Sequence, residues 1–238
     1  MAVEYSGRTT ITKPSREEIE FTGAISPGYT PLGSFSCSFL TYLDTISSVE
    51  RDFVGPTYFS IISHKNGGGS TNAIRFKCGQ FPYGEWRADN AINIASWYRI
   101  LITYDLYAPV IYVNGVSKAV TQETLFLGEI DTGPLAGNIG LVADGHGSFD
   151  GKLQDYRIYD RILTAQEAVI EADGRNLKAI LGGLVFWAPL IGAGNSQVFD
   201  GLALTTSNVL RDIIGGEMGV PYGSPIGRAS TIQSIGGG

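Results

Sequence analysis

The chain has few of the residues that build metal sites and disulfide frameworks. Its 238 residues include two cysteines, Cys37 and Cys78, and two histidines, His64 and His146. These four residues do not have the Cys/His spacing of a zinc site. Each cysteine falls inside a predicted strand, where a thiol is more often a small buried apolar group than half of a disulfide. We therefore expect both thiols to be free and buried.

Charge is also scarce, and it is mostly negative. Asp, Glu, Lys and Arg make up 17% of the residues, and the formal net charge is −6. We find no Lys/Arg cluster that could neutralise a run of phosphates, which argues against direct nucleic-acid binding. No apolar run approaches the roughly 20 residues that cross a bilayer. Residues 1–5 contain neither a basic nor an apolar leader region, so we expect synthesis in the cytoplasm without a secretory leader.

Glycine, in contrast, is abundant, with 32 residues, well above the typical ~7%. Glycine supplies the positive φ that tight turns require, so this composition is typical of many short strands. Strands are predicted at 19–22, 34–43, 58–64, 73–78, 97–105, 110–113, 116–120, 137–144, 149–159 and 183–190.

Period-two alternation supports these strands. Phe35, Cys37 and Phe39 alternate with serines, which predicts one buried face. Asn114-Gly115 is the strongest short-range signal for a type I′ hairpin turn. In the strand 97–105 the predicted faces are Tyr98, Ile100, Ile102 and Tyr104 on one side, and Trp97, Arg99, Leu101 and Thr103 on the other.

One helix is predicted. Thr164 and Glu167 form a capping box, and Gly174 suits a left-handed C-terminal cap. Roughly ten strands, one short helix and turn signals about every ten residues favour an all-β antiparallel sandwich or jelly roll. The predicted organisation is an N-terminal arm (1–17), a sandwich (18–172), and a C-terminal strand with a Gly/Pro-rich extension (173–238) that packs on the sandwich or on a neighbouring subunit.

Two stretches resemble the laminin-G-like, concanavalin-A-like lectin family. Residues 97–105 and 110–115 are similar to its pattern of Trp, alternating apolar residues, Thr-Tyr-Asp, then Ile-Tyr-Val-Asn-Gly. Residues 149–161, with Leu163-Thr164 and Glu167, resemble its closing strand and short helix. The resemblance implies a concanavalin-A-like jelly roll.

The closing strand has a physical rationale in this resemblance. Gly151 permits close approach of two backbones, and the helix is expected to cover one end of the sandwich. Leu153, Asp155, Arg157 and Tyr159 are expected to share one face of the strand. Residues 183–190 resemble the strand that usually begins such a domain, so this strand either completes the same sandwich in permuted order or starts an added element. Trp187 within it is predicted to be core and not a ligand platform.

The resemblance also raises hydrolysis, because some members of this fold are glycoside hydrolases with Glu-x-Asp-x-x-Glu or Glu-x-Asp-x-Glu on one strand. Glu129 and Asp131 match the first two carboxylates. Gly133 and Pro134 stand where the acid should follow, so no group would protonate the leaving oxygen. We interpret Glu129 and Asp131 as turn residues and predict no catalysis.

A calcium site and a structural role are the two interpretations of three aspartates. Asp144, Asp150 and Asp155 could offer oxygens to calcium as in some relatives, but acidic residues beside glycine are more commonly turn formers. No cofactor is therefore predicted.

Tyr83, Trp86 and His146 are weak candidates for a glycan site on loops, and core or turn packing is the alternative for Trp86. Fold alone does not give function. The resemblance implies a non-catalytic bacteriophage virion protein (capsid decoration, head-fibre or tail component) that assembles with itself and other virion subunits and binds host-surface glycans. A stand-alone lectin and a glycoside hydrolase are the alternatives.

Overall fold

A computed structural model of the chain describes residues 2–6, 18–21, 34–44, 51–56, 59–64, 72–78, 84–124, 137–139, 147–148, 150–174, 177–188, 210–211, 218–222 and 226–228. The strands are β1 Ala2–Ser6, β2 Glu18–Phe21, β3 Phe35–Leu43, β4 Arg51–Pro56, β5 Phe59–His64, β6 Ala73–Cys78, β7 Gly84–Ala88, β8 Trp97–Tyr104, β9 Pro109–Val113, β10 Val116–Ser117, β11 Thr121–Thr124, β12 Gly137–Ile139, β13 Gly147–Ser148, β14 Asp150–Tyr159, β15 Leu184–Ala188, β16 Leu210–Arg211, β17 Met218–Tyr222 and β18 Ile226–Arg228. The helices are α1, Ala165–Asp173, and a 3-10 turn, Leu177–Ile180.

The described strands form two sheets. The first has the order β10-β9-β8-β3-β14-β1-β18, with β15 also paired to β14. The second has the order β11-β7-β6-β5-β4-β12-β2-β17-β16, with β13 also paired to β4. Apart from the short parallel pair β13–β4, the pairing is antiparallel, which confirms the predicted all-β sandwich with one short helix.

Aromatic side chains from both sheets meet in the interior. Phe39 of the first sheet lies 5.3 Å from Phe53 of the second, measured between ring centroids. Tyr104 of the first sheet lies 5.4 Å from Phe76 and 5.7 Å from Trp86 of the second. Burial of these rings, each worth about 1.5–3 kcal/mol, explains why the alternating pattern of β3 and β8 correctly predicted the inner faces.

The predicted local features are present. Asn114 and Gly115 both have positive φ, 51° and 77°, as a type I′ turn requires. A β carbon on Gly151 would lie 2.0 Å from the carbonyl oxygen of Tyr42, which confirms the close backbone approach. Cys37 and Cys78 are free and buried, as expected, and burial raises the pKa of the Cys37 thiol above its ordinary value.

The helix begins and ends as predicted, but it covers a different surface. The Thr164 hydroxyl accepts from the Glu167 backbone N–H, the Glu167 carboxylate accepts from the Thr164 N–H, and Gly174 is the left-handed C-cap. Ala168 packs with Leu101 of β8 in a small cluster outside the sandwich core. The expectation that the helix covers one end was wrong, because it lies on the outer face of the first sheet.

The prediction that Leu153, Asp155, Arg157 and Tyr159 share one face of the closing strand was wrong for Leu153. Leu153 pairs with Thr41, whereas Arg157 pairs with Ser38, so these two side chains point to opposite faces. The cause is a β-bulge at Asp155, whose φ is 58°. A bulge inserts one extra residue and reverses the alternation beyond it. Leu153 therefore faces the core, and Arg157 faces outward.

Segments on both sides of the predicted sandwich supply strands to it. Within the predicted N-terminal arm, β1 pairs with β14 and β18. Beyond the helix, β15 pairs with β14, so residues 184–188 complete the same sandwich. Among the helices that the structure describes, none is long and apolar enough to cross a membrane.

Candidate functional site

The outer face of the first sheet has a covered half, under α1, and a half that no described helix covers, which we call the open half. The covered half lies beneath α1 and contains a network of buried charges. The Asp155 carboxylate is its centre: Oδ2 lies 2.6 Å from the Nη2 atoms of both Arg99 and Arg157. The Trp187 indole N–H donates to Asp155 Oδ1 at 2.7 Å. Trp187 is thus partly buried, and its hydrogen bond to the Asp155 carboxylate is in keeping with a structural role.

Glu171 of α1 closes the network from above. Arg157 Nη1 lies 3.0 Å from each of its carboxylate oxygens. The hydroxyls of Ser38 and Tyr159 also donate to this carboxylate. Two arginines and two acids balance one another, so burial of the charges is compensated by hydrogen bonds. This arrangement attaches the helix to the sheet.

The ionisation of Asp155 follows from this environment. Burial disfavours its charged form, but the attraction of Arg99 and Arg157 outweighs burial, so the pKa of Asp155 is below its ordinary value. Burial acts to lower the pKa of the Arg157 guanidinium, whereas the Asp155 and Glu171 carboxylates raise it. The carboxylates prevail, so this pKa is above its usual range. Both oxygens of Asp155 are bonded to Arg99, Arg157 and Trp187, which favours a structural ion pair over the calcium-ligand alternative.

The open half carries a row of three side chains, one from each of three adjacent strands. Trp97 of β8 pairs with Tyr42 of β3, and Tyr42 pairs with Lys152 of β14. We call these three residues the Trp97 row. The two rings are 5.5 Å apart between centroids, at 55° to each other, and Lys152 Nζ lies 4.3 Å from the Tyr42 centroid.

The row is accessible and is bordered by polar groups. Trp97 is 37% exposed, whereas Trp86 is 2% exposed. Asp44, directly after β3, is exposed and lies 3.4 Å from Lys152 Nζ. The loop before β8 is held against the end of β3, because the Ala95 N–H donates to the Leu43 carbonyl at 2.8 Å. The sheet and loop therefore present an aromatic ring, an ammonium group and a carboxylate on one preformed surface.

These groups provide two kinds of recognition. A half-exposed indole offers an apolar face for stacking, and charged groups nearby donate and accept hydrogen bonds. The pair Lys152–Asp44 is neutral overall, so it suits hydroxyl groups better than a strongly charged ligand. The arrangement favours a polyhydroxylated ligand with apolar C–H faces.

The outer face of the second sheet bears a different cluster, made of ion pairs. Arg75 contacts Glu85 and Glu123, and Arg87 contacts Glu123 and Asp89. Glu123 on β11 thus bridges arginines from β6 and β7. Each described carboxylate in this cluster is paired, which indicates a structural role across three strands.

The predicted glycan residues do not form a site in the described structure. Trp86 packs against Phe76 and Tyr104 in the interior, so its candidacy as a surface platform was wrong and the core alternative is correct. Tyr83 and His146 lie outside the described residues. No common surface is therefore established for the three.

Other candidates also fall beyond what can be described. Glu129, Asp131 and Asp144 lie outside the described residues, and for Asp150 only the backbone, in β14, is described. Within the described part of the chain, no group of three or more His, Cys, Asp or Glu side chains could hold a metal ion.

The strand alternation is a sequence signal for the exposure of Trp97. Alternation correctly placed it opposite Ile100 and Ile102, on the face away from the core. A tryptophan on an outward face is informative, but the sequence did not show which part of that face α1 would cover. Lys152 and Tyr42 become its neighbours only through the strand register.

Comparisons with known proteins agree with this architecture. The family model described as the concanavalin A-like lectin/glucanases superfamily matches residues 22–169, more than half of the chain. A candidate carbohydrate-binding protein from Bacteroides ovatus ATCC 8483 aligns with a TM-score of 0.58 and 21% identity, over 89% of this chain and 62% of its own. A heptameric SAP-like pentraxin from Limulus polyphemus aligns with a TM-score of 0.53 and 11% identity, over 92% and 94%.

At these identities the likeness to solved structures shows a shared fold. The chain spans 62% of the length of the Bacteroides ovatus protein. No curated protein sequence matches it.

Proposed function

Because the chain belongs to the concanavalin A-like lectin/glucanase superfamily, we propose that it is a non-catalytic module that binds glycans through the Trp97 row. The observation that carries the proposal is a 37% exposed tryptophan aligned with Tyr42 and Lys152 on the half of the sheet face that no described helix covers. The shared fold with a candidate carbohydrate-binding protein supports the same class of ligand.

Sugar recognition explains why each group is present. The apolar C–H face of a pyranose stacks on an indole, which buries apolar area without demanding a deep pocket. Asp44 accepts hydrogen bonds from hydroxyls, and Lys152 donates to ring or hydroxyl oxygens. Because strands position these groups, little ordering entropy is lost on binding.

The described carboxylates support a module without catalysis. Glycoside hydrolysis generally uses two carboxyl groups about 5–10 Å apart on either side of the scissile bond. Among the described side chains on the outer face of the first sheet, Asp44 borders the row, while Asp155 and Glu171 are buried in ion pairs. No described carboxylate is therefore placed as a partner for Asp44.

The wider role that we propose is structural, in a bacteriophage virion, as a capsid decoration, head-fibre or tail component. The family resemblance supports this role, since similar domains occur often in phage structural proteins. In that setting the chain assembles with copies of itself and other virion subunits, and the Trp97 row faces host-surface glycans.

A glycan array tests the binding function directly. Wild-type chain and the Trp97→Ala variant are applied to an array of neutral and acidic oligosaccharides, with Tyr107→Ala as a matched control. Tyr107 is an 83% exposed aromatic residue beyond the opposite end of β8. We expect wild type and Tyr107→Ala to bind the same glycans and Trp97→Ala to lose them.

Three further measurements complete the test. Bound glycans incubated with the chain should remain intact by mass spectrometry, and cleavage would overturn the non-catalytic assignment. Equal binding by wild type and Trp97→Ala would show that the row is not the site. Immunogold microscopy of purified virions tests the virion role, which unlabelled particles would contradict. Light scattering tests self-assembly, which a purely monomeric chain would contradict.

A further inference from the structure

We infer that the Trp97 row binds a neutral oligosaccharide of at least two pyranose units, laid across the strands. This inference rests on the proposed glycan-binding function and adds the size, charge and direction of the ligand. It depends on the cross-strand positions of Trp97, Tyr42 and Lys152 and on the covered half of the same face.

The spacing of the strands determines the minimum length of the bound oligosaccharide. Trp97 and Lys152 lie on β8 and β14, with β3 between them. Adjacent strands are about 4.8 Å apart, so the backbones of these two residues are about 10 Å apart; the Tyr42 ring, 5.5 Å from the Trp97 ring, lies between Trp97 and the Lys152–Asp44 pair. A single pyranose ring stacked on Trp97 does not extend over that distance. A second unit is required to reach Lys152 and Asp44.

The middle of the row is not a second equivalent platform. Lys152 Nζ lies over the Tyr42 ring, and the two aromatic rings are tilted by 55°. One sugar unit therefore stacks on Trp97, while the next is held by hydrogen bonds to the Lys152 ammonium, which covers the Tyr42 ring. Stacking and polar contacts are thus assigned to different units.

The half of the face that α1 covers determines the direction in which the ligand lies on the sheet. In the next row along the strands, Arg99 is 8% exposed and is bound to Asp155 beneath the α1 side of the sheet. An extended ligand parallel to the strands would meet this covered region. A ligand laid across the strands runs instead from Trp97 toward the Lys152 ammonium over Tyr42.

The ion pair between Lys152 and Asp44 determines which charge the ligand can carry. Asp44 lies 3.4 Å from Lys152 Nζ, so the ammonium charge is already matched. A carboxylated sugar placed at Lys152 would be repelled by Asp44. Hydroxyl groups satisfy the donor and the acceptor together, which favours neutral sugars.

Calorimetry with oligomers of defined length tests the inference. The probes are neutral oligomers, one to four units long, of glucose, galactose, mannose and N-acetylglucosamine, together with a glucuronic-acid-containing disaccharide. The full chain is compared with Trp97→Ala, Lys152→Met and the control Lys118→Met. Thermal unfolding of each variant verifies that it is folded, and Trp97→Phe serves as a conservative replacement.

The expected pattern separates the two ends of the row. In at least one neutral series, affinity should rise about tenfold from one unit to two, the gain of one added set of contacts. Lys152→Met should remove this gain, so that its affinities for one unit and for two units become equal. Trp97→Ala should abolish binding at every length, Trp97→Phe should retain part of it, and Lys118→Met should match wild type.

Two different failures can be distinguished. Binding on the array combined with equal affinity for one and two units, or with preference for the acidic disaccharide, overturns this inference alone. No binding on the array and none to any oligomer overturns both this inference and the proposed function.

Discussion

Gly151 lies against the backbone of Tyr42 so closely that a β carbon there would be 2.0 Å from the Tyr42 carbonyl oxygen. At this contact β14 pairs with β3, and the next residue, Lys152, lies over the Tyr42 ring. Gly151→Ala should destabilise the chain by about 1–3 kcal/mol or more, because the backbone must shift. Urea denaturation measures the change. Gly182→Ala is the control, since nothing lies within 4 Å of its β-carbon position, and an equal loss there would contradict this explanation.

The buried network makes Asp155 the most sensitive charge beneath the helix. Asp155→Asn preserves shape but removes the charge that balances Arg99 and Arg157, so a loss of about 3–5 kcal/mol is expected in denaturant unfolding at pH 7. Asp44→Asn breaks an exposed pair and should cost at most about 1 kcal/mol. Similar losses for both variants would show that the network is not stabilising.

The capping box predicts a pH dependence. Hydrogen bonds from Arg161 lower the pKa of Glu167, and partial burial opposes them. Hydrogen bonds from Thr164 add a smaller lowering, so the pKa falls from 4.5 to about 2. A lowered pKa stabilises the fold above the unfolded value and ceases to do so as pH falls through the folded value. Glu167→Gln keeps the capping-box acceptor but loses the ion pair with Arg161, 2.7 Å away, so it should unfold up to roughly 2–4 °C lower than wild type at pH 7, for a pair worth at most about 1 kcal/mol.

That difference should shrink between about pH 4.5 and pH 2, where wild-type Glu167 becomes protonated. Thermal unfolding followed by circular dichroism over this range measures it. Gln166→Ala, an exposed change on the same turn, should show no such dependence. A difference between Glu167→Gln and wild type that stays constant to pH 2 would exclude the ion pair as its source.

The two cysteines should be unreactive in the folded chain. Cys37 is 0% and Cys78 is 1% exposed, and burial raises the pKa of Cys37, so little thiolate is present to react. Ellman's reagent should modify no thiol under native conditions and two in denaturant. Rapid modification of the native chain would contradict the burial of both residues.

Much of the fold was predictable because side-chain alternation and turn chemistry are local. The inner residues of β3 and β8, the Asn114–Gly115 turn and both ends of α1 were read directly from adjacent residues. The strands β4, β7 and β11 were not predicted, because their short segments mix charged residues with glycine or proline or are entirely exposed. Their assignment comes from pairing with distant neighbours.

The candidate site was less predictable because it depends on register and on coverage. Trp86 and Trp97 are equally conspicuous in the sequence, yet Trp86 packs against Tyr104 in the interior and Trp97 lies on an open face. The bulge at Asp155 reversed the alternation of β14 and sent Arg157 outward. These outcomes are set by contacts between residues far apart in the chain.

The central claim is that the Trp97 row is the glycan-binding surface. A crystal structure of the chain with the oligosaccharide that binds best on the array tests it most directly. We predict one pyranose ring stacked on Trp97 and the next hydrogen-bonded to Lys152 and Asp44. Sugar density on the outer face of the second sheet, or at any surface away from Trp97, would contradict the claim.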